Sequence, residues 1–360
     1  MPILLTIFND LWQWTQELAV WIWMHPSVLV LIGSGALIPA CFWFWLYYRQ
    51  VYMDKDDTKF MVITFLWGTS SVLIVLMVNY FSKILLGIDL ADIVQDASRN
   101  GQVWLVIVGF MILGGLEEYA KFLIISRINN KQVSFNRIVD GIEYAIAGAL
   151  GFAFLENIAY FAVAANEYAP GGLSNILALI TNVNFIQVVI ARNSGTMLMH
   201  TIFSAFIGYY YGKARVLELE AEISEKKKLH NYLLVKGVQS RVQRLKALWQ
   251  NHHFPIPHSI RIRKDELIAE GLIVAMILHA LYNSLLHFDL AWIIAPIVML
   301  EFGLIMYELH LEKNLYVYDL EKAERNEIRL ELRQGALQKA LSTGKKVQTS
   351  SKIPTNRKTG

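Results

Sequence analysis

Long apolar stretches alternate along this chain with short polar segments. A bilayer core needs about 20 mostly apolar residues per helix. Seven stretches meet that length, roughly 27–48, 60–81, 102–126, 141–164, 194–213, 267–287 and 290–308. They predict an all-α fold, a polytopic membrane helix bundle of about seven transmembrane helices. Spans one to five fall within 27–212 and spans six and seven within 267–308. Residues 1–26 are aromatic-rich but interrupted by Asn9, Asp10, Gln13 and Glu17, which predicts an interfacial amphipathic helix. Residues 173–190 are apolar but carry Asn175, Asn182, Asn184 and Gln187, the pattern of a partly inserted or surface-lying helix. Between the fifth and sixth spans, 213–266 reads as a helical insert. Val216, Leu219 and Ile223 recur there at helical spacing, as do Val238, Val242, Leu245 and Trp249, with Gly237 between the two arms. A further helix is expected over 309–341 and a disordered basic tail over 342–360.

Composition agrees with this pattern. Of the 360 residues, 55% are hydrophobic and only 18% charged, and mean hydropathy is +0.38. Soluble domains are less apolar and carry about 25% charged residues. The single cysteine, Cys41, forms neither an internal disulfide nor a thiolate metal site. The net charge of +3 gives no reason to expect nucleic acid as a partner. Its distribution is more informative. Of the 33 Lys and Arg residues, all but Lys83, Arg99, Lys121 and Arg192 lie in 49–59, 127–140, 213–266 and after 308. The positive-inside rule therefore predicts an outside N-terminus and a cytoplasmic C-terminus, with 213–266 and 309–341 cytoplasmic. No Lys or Arg precedes Arg49, so a cleaved secretory signal is not expected. Two weaker signals fall in the insert. The string NHHFPIPH (251–258) reads as a solvated loop punctuated by Pro255 and Pro257, and EKKK (225–228) as a solvated helix face.

The apolar stretches are not clean. The third carries Glu117, Glu118 and Lys121, and the fourth Glu156 and Asn157 with Tyr160 one turn on. The fifth begins near Arg192 and carries His200 and Ser204; the sixth carries His279 and Asn283, and the seventh Glu301. Ionisable groups at membrane depth cost several kcal/mol each and are usually functional. At 1.5 Å per residue, Glu118 lies roughly 14 Å from the cytoplasmic end of its span, His200 and His279 roughly 18–20 Å, and Glu156 roughly 22 Å. Helical spacing also gathers them into stripes of small and polar residues. These are Gly114 with Glu118, Phe152 with Glu156 and Tyr160, Thr196 with His200 and Ser204, and Ala275 with His279 and Asn283. Each residue alone has a structural explanation. Glu117 and Lys121 are spaced for an i, i+4 ion pair, Asn157 and Asn283 suit interhelical hydrogen bonding, and Arg192 suits an interfacial anchor. Two imidazoles and three carboxylates at one depth are expensive as helix glue.

Such a set suits water activation. A buried carboxylate is a good general base, two His with one Glu form a hydrolytic zinc set, and an Asn or neutral His can donate to an oxyanion. The string HExxH is absent, so any metal would be assembled from separate helices. The same groups would also serve a proton-coupled transporter or channel, or persist in a noncatalytic membrane scaffold. Against the transporter, the third and sixth spans contain no Pro and so no obvious break. A scaffold would be expected to have lost Glu118, His200 or His279, and all three are present.

The ordered strings EEYAK (117–121), FAFLEN (152–157) with Tyr160, Arg192 with His200 and FS (203–204), and HALYN (279–283) resemble the PrsW family of intramembrane proteases. That family shows EExxK, FxxxEN, R…HxxF[ST] and HxxxN/D in this order on separate helices, and shares a clan with the type II CAAX prenyl endopeptidases. The resemblance covers about residues 102–287. It implies hydrolysis of peptide bonds in membrane-anchored protein substrates, within a bacterial cytoplasmic membrane. Glu117, Glu118, His200, His279 and Asn283 are then the expected catalytic group, supported by Lys121, Glu156, Asn157 and Arg192. His200, His279 and Glu118 are the expected ligands if a divalent metal such as zinc is bound; a metal-free Glu–His mechanism is the alternative. Glu301 and the insert 213–266 lie outside the resemblance.

Overall fold

The computed structural model describes residues 25–50, 55–129, 135, 137–168, 176–235 and 257–314. The expected interfacial helix at 1–26, most of the second arm of the insert, and the segments 315–341 and 342–360 lie outside the described residues, His25 and Pro26 apart. What is described is helical: α1 (Pro26–Gln50), α2 (Lys55–Leu86), α3 (Leu90–Arg99), α4 (Val103–Asn129) and α5 (Ile138–Tyr168), then α6 (Ile176–Ile180), α7 (Val183–Ala191), a π turn (Arg192–Thr196), α8 (Met197–Val235), α9 (His258–His287) and α10 (Ala291–Asn314). No strand occurs among the described residues.

Five helices (α1, α2, α4, α5 and α9) are long and apolar enough to cross a membrane, and α10 holds a shorter apolar stretch, Trp292–Tyr307. The expected fifth span is the first part of α8, which continues without a break into the charged insert as far as Val235. The expected surface-lying helix at 173–190 is two short helices. α7 is capped by Asn182, whose side chain accepts from the backbone N–H groups of Asn184 and Phe185. The protein is an integral membrane protein with an all-α bundle.

α5 is the hub and packs against α1, α2, α4 and α8. Its sequence explains why. Between Val139 and Ala153 every residue is buried, and Gly141, Ala145, Ala147, Gly148, Ala149 and Gly151 keep that surface low. Helices in lipid gain little from a hydrophobic effect between them, so close backbone approach supplies the packing. A Cβ on Gly141 would collide with the carbonyl of Gly208, and one on Gly208 with the carbonyl of Gly141. The two glycines therefore set the α5–α8 distance. This tight crossing, with α4 and α9 closing the other side, brings the polar positions of four helices to one point.

Candidate active site

α4 presents Glu117, Glu118 and Lys121 side by side. Glu118 and Lys121 are completely buried. The Lys121 ammonium donates to Glu118 Oε1 at 2.7 Å and to His200 Nδ1 at 2.9 Å. It also lies 4.4 Å from the centre of the Phe152 ring, a cation–π contact from α5. The expected partner of Lys121 was Glu117, four residues before it; the structure pairs it with Glu118, three residues before it. Both spacings share a helix face. Contact with His200 on α8 decides between them, because only the pairing with Glu118 points Lys121 into the bundle.

An ammonium has only hydrogens to give, so His200 Nδ1 accepts and the ring proton sits on Nε2. Nε2–H then donates to Glu156 Oε2 at 2.8 Å. His279 has the complementary arrangement. Its Nδ1–H donates to Glu118 Oε1 at 3.0 Å, which leaves the Nε2 lone pair exposed to the pocket. Each imidazole is thus oriented by its own carboxylate, and the two rings stand 5.4 Å apart at 79°. Phe203 stacks on His279 at 5.1 Å and Phe152 packs edge-on to His200 at 5.2 Å, so both rings are held by packing as well as by hydrogen bonds. Ser204 donates to the second oxygen of Glu118 at 3.2 Å. Gly114 makes room for this: a Cβ there would come 2.9 Å from His279 Cγ.

Glu117 is different. Its Oε2 is buried without a hydrogen-bond partner and lies 3.6 Å from His279 Nε2, too far for a hydrogen bond. An acceptor without a donor faces a lone pair without a proton across a small gap. One ligand atom each from Glu117, His200 and His279 lie within 4.8 Å of one another. Ligands around a tetrahedral zinc stand roughly 3.4 Å apart, given bonds of about 2.1 Å. To close on an ion, the longest of these separations would have to shorten by up to about 1.4 Å. Ligating imidazoles in protein metal sites give their other N–H to a carboxylate; His279 is set up in this way, whereas His200 would ligate only after Lys121 released its Nδ1. The ligand expected from the sequence was Glu118. Its oxygens are already engaged by Lys121, His279 and Ser204, so the carboxylate with a free oxygen is Glu117.

A second polar layer supports Glu156. Arg192 reaches it through Nη2 at 2.5 Å and binds Asn157 Oδ1 through Nε at 2.9 Å. Its guanidinium lies 3.8 Å from the centre of the Tyr160 ring. Asn157 in turn donates to Asn193 Oδ1, and Asn193 donates to the Gly35 carbonyl on α1 while accepting the Trp43 indole N–H at its backbone carbonyl. Asn193 did not stand out in the sequence. The π turn Arg192–Thr196 brings it inward beside Arg192, because the wider turn rotates successive residues away from α-helical positions. Asn283, one turn beyond His279, is half-buried and makes no hydrogen bond to another described residue. Glu301 lies on α10, apart from this cluster.

Comparison with known proteins decides which family builds such a site. A model described as PrsW family intramembrane metalloprotease matches residues 57–238, half of the chain. The chain belongs to the PrsW family. It is 22% identical over 219 residues to the Protease PrsW of Halalkalibacterium halodurans, covering 61% of this chain and 85% of that protein. It is 25% identical over 185 residues to the Protease PrsW of Geobacillus kaustophilus, covering 51% and 67%. A shorter match to the Oceanobacillus iheyensis Protease PrsW reaches 31% over 109 residues. No solved structure matches. The PrsW match contains Glu117, Glu118, Glu156 and His200, and ends before His279.

Proposed function

We propose that this PrsW family member hydrolyses peptide bonds of membrane-anchored proteins at the cluster formed by α4, α5, α8 and α9. The observation that carries the reading is the unpartnered Glu117 oxygen facing the free Nε2 of His279, with Glu118 and Glu156 already paired to Lys121 and Arg192. Glu118 and Glu156 are matched by Lys121 and Arg192, so an ionised Glu117 would leave one negative charge over in a site of low dielectric. Two unit charges 4 Å apart at an effective dielectric of 20 interact by about 4 kcal/mol, so one more positive charge beside Glu117 would hold it ionised.

Glu117, His279 and, once Lys121 releases its Nδ1, His200 are the residues that would hold a divalent ion. A bound ion would polarise the substrate carbonyl and lower the pKa of water. The rest of the chemistry belongs to the chain. Glu118, fixed by Lys121 and Ser204, keeps the proton of His279 on Nδ1 and its lone pair on the pocket side. Glu156, fixed by Arg192, keeps the proton of His200 on Nε2, while the Nδ1 lone pair of His200 accepts from Lys121. Lys121 is the cation nearest to His200 Nδ1 and holds that position with its charge. Asn283 is the candidate donor to the oxyanion. In a metal-free alternative, favoured by the contact of Lys121 with His200 Nδ1, Glu117 takes the proton of the attacking water and Lys121 remains the resident cation.

The test uses the full chain purified in detergent or lipid with a fluorescent single-span peptide substrate. Cleavage that is lost in Glu117→Gln and accompanied by one equivalent of metal in elemental analysis supports the metal reading. Full cleavage after exhaustive chelation overturns that reading. No cleavage of any single-span or membrane-anchored peptide overturns the proteolytic reading itself.

A further inference from the structure

Glu301, in the apolar stretch of α10, is an acid that the cluster above does not use. It is 8% exposed, and its Oε2 is buried without a hydrogen-bond partner among the described residues. A buried carboxylate used as helix glue would be paired, since leaving such a charge unpaired costs several kcal/mol. It lines a narrow crevice, with room for about one water, between α8, α9 and α10 together with Met199, Phe203, Tyr282, Leu285 and Val298. Apart from the Tyr282 hydroxyl, which is engaged by Thr196, those walls are apolar. The inner wall is shared with the candidate active site, because Phe203 stacks directly on His279. The outer rim includes Leu281, which is 44% exposed and marks the opening on the outside of the bundle.

We propose that this crevice widens, by movement of the side chains lining it, into a substrate subsite that takes a basic side chain of the segment to be cleaved, with Glu301 as its counter-charge. The proposal rests on the proteolytic reading for the identity of its occupant. The chemistry is complementary at both ends. A Lys or Arg carries a long aliphatic stem that lies well along apolar walls and a charged head that needs an opposite charge at depth. Phe203, Leu285 and Val298 offer the walls, and the free Glu301 oxygen offers the charge. An acidic or purely aliphatic side chain would leave Glu301 as costly as before, so the site discriminates among substrates. Seated there, the basic residue lies next to the Phe203–His279 stack and brings its neighbouring peptide bonds toward the pocket.

The experiment measures binding and cleavage separately. The probes are single-span peptides, identical except for one Lys moved position by position through the central nine residues, each with a norleucine control. Binding is measured by energy transfer to the full chain carrying Glu117→Gln, which removes turnover. At one or two adjacent positions Lys should bind at least about tenfold more tightly than norleucine, as expected when one side of a buried charge pair is present. Adding Glu301→Gln should bring the two within about twofold of each other. Glu301→Leu, which removes the charge while keeping the crevice filled, is measured in parallel and should behave the same. No preference for Lys at any position, or a preference that survives both substitutions, overturns the subsite. Selective binding without cleavage by the unsubstituted protein would overturn the proteolytic reading and leave the subsite standing. Cleavage without selectivity would do the reverse.

Discussion

Lys121→Met tests the electrostatic reasoning most directly. Lys121 and Glu118 are both completely buried, 2.7 Å apart, and Lys121 also holds His200 at 2.9 Å. Methionine keeps most of the volume and removes the charge. Three carboxylates would then face Arg192 alone. Removing one partner of a buried ion pair typically costs about 3–5 kcal/mol, because the remaining charge is left uncompensated. Replacing both partners by neutral groups of similar shape is often close to neutral. Lys121→Met should therefore be strongly destabilised, and Lys121→Met with Glu118→Gln should recover most of the loss. The coupling energy of the double-mutant cycle should amount to several kcal/mol. The assay is reversible unfolding of the purified protein in mixed micelles for all four members of the cycle. Cleavage should be lost in all three variants, because each removes Lys121, which holds His200 and Glu118, or Glu118, which orients His279. A single Lys121→Met variant with unchanged stability, or a double variant no more stable than the single, would show that the buried pair does not carry the charge balance argued for it.

Gly114→Ala should retain the fold and lose most cleavage, because the added methyl pushes the His279 ring off its 2.9 Å clearance; circular dichroism and turnover measured side by side would check this. His279→Ala should abolish both bound metal and activity under the metal reading, whereas chelator-insensitive residual cleavage would point to the metal-free one. Asn193→Ala should lower activity less than Arg192→Ala, since it only ties the Asn157–Arg192 layer to α1, and the ratio of the two rates gives the answer. In the extension of α8, burial pushes the Glu218 carboxyl up, but Lys264 and Arg215 outweigh it and hold it below its ordinary range. Its ion pairs therefore stabilise the fold above the ordinary carboxylate range and are lost as pH falls through the lowered folded value. Melting curves should fall across that acidic window in the unsubstituted protein and run flatter in Glu218→Gln.

Periodicity and hydropathy alone specified a bundle of membrane helices, because an apolar stretch of span length has few other stable fates. They also specified the depth of each polar residue, because rise per residue is fixed by the helix. That is why Glu118, Glu156, His200 and His279 could be expected in one layer before any packing was known. What depth cannot give is rotation about each helix axis and the pairings that follow. Glu117 and Glu118 differ by one position, and both lie within reach of Lys121. Only the α4–α8 contact, set by the glycine crossing of α5 and α8, turns Lys121 toward Glu118 and leaves Glu117 with a free oxygen. Asn193 was equally hidden, since a π turn has no signature in residue pattern yet changes which side chains face inward. Glu301 was visible as an acid in a span, but its emptiness of partners depends on the side chains of three helices meeting around it. The sequence determined which chemistry is present and at what depth; the tertiary structure decided which atom is paired with which, because charge pairing depends on distances of a few ångströms that no one-dimensional spacing encodes.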